Sequence, residues 1–336
     1  MSKELTEKEL TEKELTEKEF TEQELTKQEL TETESTKQKK IRHLVLSGGG
    51  GTGFAYYGAL RESNKDGFWH IDDIQTIHGV SCGAIFMIFA ACLKQIGWDD
   101  YDDFCVKRPW ETVLKFSPDK LLNAFTNVGV CDHADMVNTL SPILKAADLA
   151  EDATLQQLYD LTGIETHFYA TNFDTYELVD LSHKTHPEWT VVNATYSSAA
   201  LPLLFRPNVV DGVRYVDGAL LCNYPLNQCL EIVEDSDEIF GINKVAPPVC
   251  KDDPAPSPNY SNIMEYIADI ISKTMHKLSI PPTKIRYTMD FSDGTSSVLS
   301  VYDAIKTRES RAAKIQEGSD AWNQFKSQIG WRADGQ

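Results

Sequence analysis

The stretch "HLVLSGGGGTGFAYYGAL", residues 43–60, contains the pattern from which the fold can be predicted. An apolar run is followed by four consecutive glycines, and Gly53 adds a fifth after one intervening residue. The residues after Gly53 have helical spacing, so the stretch predicts a buried strand, a glycine loop and a helix. Gly48, Gly50 and Gly53 form a G-x-G-x-x-G pattern. Such a loop can hold a dinucleotide, hold a nucleotide triphosphate, or direct backbone N–H groups at an oxyanion.

A second glycine-flanked turn, "HGVSCGA", ends the next predicted strand, "IDDIQTIHGV". Here Gly79, Ser81 and Gly83 give G-x-S-x-G between a strand and an apolar helix. In such a tight turn the serine backbone is strained, and glycines two positions away avoid clashes with neighbouring backbone. The hydroxyl then lies at a helix N-terminus, where the dipole favours developing negative charge. Ser81 is therefore predicted to be a nucleophile.

A nucleophilic serine also explains the glycine loop. The tetrahedral intermediate formed at a serine needs N–H donors for its oxyanion, and a glycine loop at the end of the adjacent strand can supply them. We therefore interpret the loop as an oxyanion hole rather than a nucleotide site. Its predicted residues are Gly48, Gly49, Gly50, Gly51 and Gly53.

The two nucleotide-binding interpretations fit the sequence less well. A P-loop requires Gly-Lys followed by Ser or Thr, whereas this chain has Thr-Gly-Phe at 52–54. A dinucleotide-binding fold would use an acidic residue such as Asp72 or Asp73, about 20 residues beyond the loop. Both aspartates lie at the start of the second predicted strand instead of at its end, and this interpretation leaves Ser81 unexplained.

The order of strand, loop, helix, strand, turn and helix predicts an α/β fold with a mostly parallel sheet and helices on both faces. Residues 97–165 are predicted to be mainly helical. A strand pair is predicted in "THFYATNFD" and "YELVDLS", and a hairpin in "NVVDGVRYVDGAL". Later strands are predicted in "DEIFGINKV" and "KIRYTMDF", and later helices in "SNIMEYIADIISKTMHKL" and over residues 302–329.

Ser81 needs a general base, and two residues are candidates. An α/β-hydrolase places a late histidine after its acid, and His276 occupies that position. However, only one strand precedes the serine strand here, whereas an α/β-hydrolase usually has several. Asp217, at the end of a predicted strand, could accept the proton directly if it is partly desolvated. The pattern leaves two possibilities open for the Asp-Gly pair at 217–218. Asp217 could form a catalytic dyad with Ser81, or the pair could form only a hairpin turn, as is predicted for the Asp-Gly pair at 211–212.

Four segments, "LSGGGGTGFAYYGAL", "GVSCGA", "ATYSSAALPLLFRP" and "YVDGALLCNYPL", resemble the patatin-like phospholipases in this order and approximate spacing. The resemblance covers residues 41–232. It implies a three-layer α/β/α fold with a mostly parallel central sheet, with Ser81 as the acyl-accepting nucleophile and Asp217 as its proton acceptor. Gly218 and Ala219 match the rest of the family's Asp-Gly-[Gly/Ala] motif.

The activity that the resemblance implies is hydrolysis of fatty-acyl esters in phospholipids or related acyl lipids, of the phospholipase A or lysophospholipase type. It would proceed through an acyl-enzyme, with no metal or organic cofactor. Thr52 stands where the family usually has Arg or Lys, which puts a lipid-phosphate contact there in doubt and favours neutral lipids. Two alternatives remain: an esterase with a Ser-Asp-His triad, and a non-catalytic lipid-binding homologue. The acyl cleft is expected to be walled by the helix at 84–96 and by Leu201, Leu203, Leu204 and Phe205.

The composition of the chain argues against several other classes of protein. The formal net charge of −19 argues against a nucleic-acid partner. Seven cysteines without close pairs, and no C-x-x-C or H-E-x-x-H, give no support for a disulfide framework or a zinc site. The longest apolar run, Ala84–Leu93, is too short to span a bilayer, and no signal peptide is recognisable. We therefore expect an intracellular, cytoplasmic protein that contacts membranes peripherally and transiently.

The first 40 residues repeat "ELTEK" with a period of five, which distributes the apolar residues around a helix without forming a stripe. This pattern predicts a solvated, part-helical or disordered tail without catalytic residues. A coiled-coil arm would need a heptad period. The predicted organisation is therefore a tail at 1–40, a catalytic core at 41–232, and a segment at 233–336 that completes the same domain.

Overall fold

The structure is a computed structural model that describes residues 39–114, 126, 128–245, 263–278, 283–292 and 299–332. Most of the predicted tail, residues 1–38, lies outside the described residues. The described residues from Ile41 onward belong to one compact unit. The strands are β1 (His43–Leu46), β2 (Thr76–Gly79), β3 (Glu165–Asn172), β4 (Glu177–Leu181), β5 (Asn208–Val210), β6 (Val213–Asp217), β7 (Ile239–Lys244) and β8 (Thr288–Phe291).

Helices connect these strands. In chain order they are α1 (Gly53–Lys65), α2 (Cys82–Ala91), α3 (Leu93–Ile96), α4 (Trp98–Lys107), α5 (Trp110–Val113), α6 (His133–Ala146), α7 (Leu155–Thr162), α8 (Val191–Ala199), α9 (Leu226–Leu230), α10 (Ile263–Leu278), α11 (Leu299–Ile305) and α12 (Arg308–Gln328). Within the described ranges, no helix has the length and apolar character needed to cross a membrane.

The strands form one mixed sheet in the order β5-β6-β3-β2-β1-β7-β8, with β4 paired to β3. Strands β3, β2, β1, β7 and β8 pair in parallel, and β4, β5 and β6 pair antiparallel at the β3 side. Helices cover both faces, which gives the three-layer α/β/α architecture. The carboxyl ends of the parallel strands therefore share one edge, the usual place for a site in such a sheet.

The central strand β1 shows why its sequence is apolar throughout. Leu44 and Leu46 belong to the main core, which includes α1, while Val45 belongs to a second cluster with Leu226 of α9. Successive side chains of a strand point to opposite faces, so both faces of β1 must be apolar when helices cover both.

The last helix, α12, packs closely across α1, and two glycines permit this contact. A Cβ atom on Gly58 would lie 2.0 Å from the carbonyl oxygen of Ile315, and one on Gly318 would lie 1.9 Å from that of Ala55. Trp322 of α12 is fully buried beyond this crossing. The C-terminal segment thus contributes both β7 and β8 to the sheet and a helix to the core.

Three predicted elements have different bounds in the structure. The apolar helix predicted after the serine turn, which was expected to include residues 84–96, is interrupted at Cys92, which separates α2 from α3. The second strand begins only at Thr76, because residues 71–73 form a 3₁₀ turn. The helix predicted over 302–329 is divided into α11 and α12, since the Thr307 side chain caps a new helix by accepting from the backbone N–H of Ser310.

Candidate active site

Ser81 lies in a strained turn between β2 and α2. Its backbone angles, φ 55° and ψ −124°, are rare for a residue with a side chain. A Cβ atom on Gly79 would lie 2.9 Å from the backbone of Ala84, and one on Gly83 would lie 2.5 Å from the carbonyl oxygen of Leu46. The two glycines therefore allow the tight turn that presents the Ser81 hydroxyl at the start of α2.

Strand β3 brings Asp217 to this turn. Its Phe168 pairs with Gly79 of β2, and two residues further along Ala170 pairs with Asp217, the last residue of β6. The ends of β2 and β6 are therefore close in space, although they are far apart in sequence. Gly218 makes this possible, because a Cβ atom there would lie 2.1 Å from the carbonyl oxygen of Tyr169.

The Asp217 carboxyl group is fully buried. Its Oδ1 accepts a hydrogen bond from the Ala219 N–H at 2.8 Å, and the Ser81 hydroxyl lies close enough to the carboxyl group to lower its pKa. Oδ2 has no close, well-aligned partner among the described residues. Burial raises the pKa of Asp217 to about 7, and the Ser81 and Ala219 hydrogen bonds limit the increase. The Asp217 carboxyl group is therefore partly ionised near neutral pH.

Ser198 holds the Ser81 backbone in position, and the sequence-based prediction did not assign it a role. The Ser81 N–H lies 3.1 Å from Ser198 Oγ and 3.2 Å from the Ser198 carbonyl oxygen. The Ser198 hydroxyl in turn donates to the Tyr169 carbonyl oxygen at 2.7 Å. The only signal was its presence in "ATYSSAALPLLFRP", one of the segments that carry the resemblance.

The glycine loop lies beside this turn, but two of its predicted donors are engaged elsewhere. The Gly48 N–H donates to the Asn223 carbonyl oxygen at 2.9 Å, and the Gly53 N–H donates to the Gly50 carbonyl oxygen. An N–H group already bonded to a carbonyl is a poor oxyanion donor. Gly48 and Gly53 therefore help to shape the loop in this conformation, and their role as oxyanion donors stays a prediction.

The backbone N–H groups of Gly49 and Gly50 lie close enough to the thiol of Cys82, the residue after Ser81, to lower its pKa slightly. Burial raises the pKa of the Cys82 thiol to about 12, so the thiol is neutral and does not place a negative charge in the loop. Cys82 is also the first residue of α2, so its own N–H has no acceptor within the helix. It was not predicted as an oxyanion donor, although the residue after the nucleophile often supplies one.

An apolar pocket opens beside Ser81, Gly50 and Gly51, with an empty volume of about 820 Å³ including its open mouth. Leu201, Leu204 and Phe205 line it, as predicted, whereas Leu203 does not. Leu203 has a positive φ of 75°, which places it in a turn between residues that do line the pocket. The other walls come mainly from helices, namely α1, α2, α4, α5, α6, α8 and α11, and include Ile85, Phe86, Phe89, Cys105, Trp110, Met136 and Ile305.

The alternative site residues have other positions. His276 belongs to α10, and its side chain lies outside the described part of the chain. Asp72, considered as a ribose-binding acid, is exposed and forms an ion pair with Lys94 at 2.7 Å. Within the described residues, no three His, Cys, Asp or Glu side chains are grouped so that they could hold a metal ion.

Comparison with known proteins agrees with the sequence resemblance. The chain is 26% identical over 193 residues to the probable lipid hydrolase 463L of Invertebrate iridescent virus 6, covering 57% of this chain and 64% of that protein. It is 27% identical over 207 residues to the uncharacterized protein R571 of Acanthamoeba polyphaga mimivirus, covering 61% and 66%. The chain thus matches just under two thirds of the length of these relatives.

Among solved structures, the chain matches VipD from Legionella pneumophila with a TM-score of 0.48 and 16% identity, covering 87% of this chain and 67% of that one. The ExoU–SpcU complex from Pseudomonas aeruginosa has a TM-score of 0.41 and 15% identity, covering 86% and 52%. The sequence model described as patatin-like phospholipase matches residues 44–230. Because this match spans more than half of the sequence, the chain belongs to the patatin-like phospholipase family.

Proposed function

We propose that this protein hydrolyses fatty-acyl esters of lipids by means of a Ser81–Asp217 dyad. The observation that carries the proposal is a fully buried carboxyl group with a pKa of about 7, in contact with a strained serine at the mouth of an apolar pocket. Groups with pKa values shifted in this way are characteristic of catalytic acids and bases. Family membership and the relative named as a probable lipid hydrolase support the same class of reaction.

In the acylation step, the Ser81 oxygen attacks the ester carbonyl carbon while its proton passes to the Asp217 carboxylate. The carbonyl oxygen becomes an oxyanion, which the N–H groups of Gly49, Gly50 and Cys82 would stabilise; each such donor is worth about 3 kcal/mol in comparable sites. The intermediate then collapses, the carbon–oxygen bond to the alcohol breaks, and the proton from Asp217 passes to the leaving alcohol. Ser81 is left as an acyl ester.

In the deacylation step, a water molecule takes the place of the alcohol. Asp217 accepts a proton from this water, whose oxygen attacks the acyl carbon, and the same N–H groups hold the second oxyanion. Collapse releases the fatty acid, and the proton returns to the Ser81 oxygen. Because the carboxylate acts directly, a histidine is not needed to relay the proton.

The pocket favours an acyl chain as the group held beside Ser81. Its aromatic and aliphatic walls would remove an alkyl chain from water, at about 0.8 kcal/mol per buried CH₂ group. Phospholipids, lysophospholipids and neutral acyl lipids all carry this chain, so the pocket is compatible with each of these substrate classes. The substrate would reach the protein from a lipid surface, through peripheral contact.

The test of the proposed function combines covalent labelling with a lipid panel. A fluorophosphonate should form one adduct on the peptide that contains Ser81, and purified protein should release fatty acid from at least one phospholipid, lysophospholipid or neutral ester. Protein already labelled with the reagent serves as the matched blank. Lipid binding without an adduct and without released fatty acid would favour the non-catalytic homologue and overturn the proposal.

Activity should also depend on pH in a way that Asp217 determines. The dyad needs the ionised carboxylate, so kcat/KM should fall about tenfold per pH unit below a midpoint near pH 7 and level off above it. The rate of fatty-acid release between pH 5 and 9, followed by mass spectrometry, measures this profile. A midpoint near pH 4, the ordinary range of an aspartate, would mean that the base is not a buried carboxyl.

A further inference from the structure

A cation beside the glycine loop comes from a distant part of the chain. Lys244 is the last residue of β7, and its Nζ donates to the Gly49 carbonyl oxygen at 3.3 Å and to Thr52 Oγ1 at 3.1 Å. The register explains why it reaches the loop: β7 pairs in parallel with β1, with Ile242 opposite Leu46. The end of β7 therefore lies next to the loop that follows β1.

The contact lies on one side of the peptide that joins Gly49 to Gly50. In a trans peptide the carbonyl and the N–H point in opposite directions, and this peptide is trans. Lys244 binds the carbonyl side, and the Gly50 N–H on the other side lies near the thiol of Cys82, the residue after Ser81. The charged Lys244 ammonium group, bonded to the carbonyl oxygen, holds the peptide plane in place. It also draws electron density from the N–H on the other side, which makes this N–H a stronger hydrogen-bond donor.

The preceding peptide is held in the same way. The Gly48 carbonyl oxygen is within reach of three donors: Ser47 Oγ at 3.1 Å, Asn223 Nδ2 at 3.3 Å and Tyr56 OH at 3.4 Å. The Ser47 hydroxyl also accepts from the Lys244 N–H at 2.8 Å, so the network includes the end of β7. The carbonyl oxygens of Gly48 and Gly49 are thus both held by hydrogen bonds. The donors to Gly48 are neutral, whereas Lys244 adds a charge.

We propose that Lys244 is a positioning residue for the oxyanion hole, acting through the Gly49–Gly50 peptide and substituting for a cation that the loop itself lacks at Thr52. Lys244 does not line the pocket, so this role does not require contact with the substrate. The inference rests on the proposed function. It identifies a residue outside all the segments that carry the family resemblance as part of the hydrolytic machinery.

The test uses Lys244→Met, which keeps the length of the side chain but removes the charge. With a small neutral ester such as p-nitrophenyl butyrate, kcat should fall about 10- to 100-fold, and KM should change less than about threefold. The fall in kcat should be somewhat smaller than the fall caused by removing an oxyanion donor completely. The inhibition constant of an alkyl trifluoromethyl ketone, which forms a tetrahedral oxyanion with serine, should rise by the same factor as kcat/KM falls. Lys244→Arg should recover most of the activity.

Lys184→Met is the matched control. Lys184 forms an ion pair with Glu165 at 2.7 Å, at the opposite end of β3 from Asp217, so its loss should leave kcat unchanged. Melting temperatures of all variants show whether any has lost its fold. If Lys244→Met has the same melting temperature and the same kcat as wild type, the role assigned to Lys244 is wrong, while the proposed function is unaffected. An increase of KM confined to phospholipids would indicate headgroup contact and also overturn it. If wild type itself releases no fatty acid, the proposed function fails and this assignment with it.

Discussion

The Asp217→Asn variant is expected to hydrolyse acyl esters at least about 10³-fold more slowly than wild type, with the loss in kcat. Asparagine keeps the shape of the side chain and an oxygen that can accept from the Ala219 N–H. It has no carboxylate to accept the proton of Ser81, so attack on the ester would require a free alkoxide. Steady-state kinetics on p-nitrophenyl butyrate at pH 8 measures the effect.

Asp211→Asn provides the matched control in the same hairpin. Asp211 is exposed, and its φ of 52° is a conformation that asparagine also adopts readily. This variant should therefore keep wild-type kcat. If Asp217→Asn also kept it, another group would be the base, and His276→Ala would then test the triad alternative.

The stability of Asp217→Asn separates loss of chemistry from loss of fold. The pKa of Asp217 is raised from 3.8 to about 7 in the folded protein, so on raising the pH the unfolded chain ionises first. Between about pH 4 and pH 7 the carboxyl therefore increasingly favours unfolding, and above pH 7 its effect is constant. Asparagine does not ionise. At pH 8 the inactive variant should accordingly melt no lower than wild type.

Replacing Ser81 should have the largest effect. Ser81→Ala removes the nucleophile, so no acyl-enzyme can form, and turnover should fall by about 10⁵-fold. The fluorophosphonate adduct should also disappear. Residual hydrolysis above that level would indicate attack by a different nucleophile, and the dyad would have to be abandoned.

Comparison of Ser81→Ala with Ser81→Gly tests the strain in the turn. Alanine retains a side chain at φ 55° and ψ −124°, whereas glycine adopts such angles without strain. Release of the backbone strain should stabilise the glycine variant by about 1–3 kcal/mol, whereas the freedom of glycine in the unfolded chain should cost about 0.5–1 kcal/mol. Ser81→Gly should therefore be about 1 kcal/mol more stable than Ser81→Ala. Both variants should be inactive. Equal free energies of unfolding, measured in denaturant, would mean that the turn stores no strain.

Several local features could be read directly from the chain. The apolar run before Gly48, the G-x-S-x-G turn and the hairpin at 208–217 all have backbone conformations determined by neighbouring residues. Glycine spacing marks a tight turn because only glycine avoids the backbone contacts that the structure shows at Gly79 and Gly83. For this reason the strand, loop, helix and serine turn were predicted in the correct order.

Which of these features lie close together in space could be determined only from the tertiary structure. Whether Asp217 was a hairpin turn or the partner of a serine depended on the register in which β3 pairs with both β2 and β6. That register is set by side chains packed across the whole sheet, and no local pattern encodes it. The same holds for Ser198, which reaches the Ser81 backbone from α8.

The chemistry of the loop shows the same division. The run of glycines indicated that backbone N–H groups would be accessible, but not which of them are already bonded to carbonyls, as those of Gly48 and Gly53 are. Nor did it show that the cation comes from Lys244, almost two hundred residues away. Backbone conformation is a property of a few adjacent residues, whereas hydrogen-bond partners and burial depend on which strands lie side by side. The sequence thus specified the parts of the site, and the fold determined which of them meet.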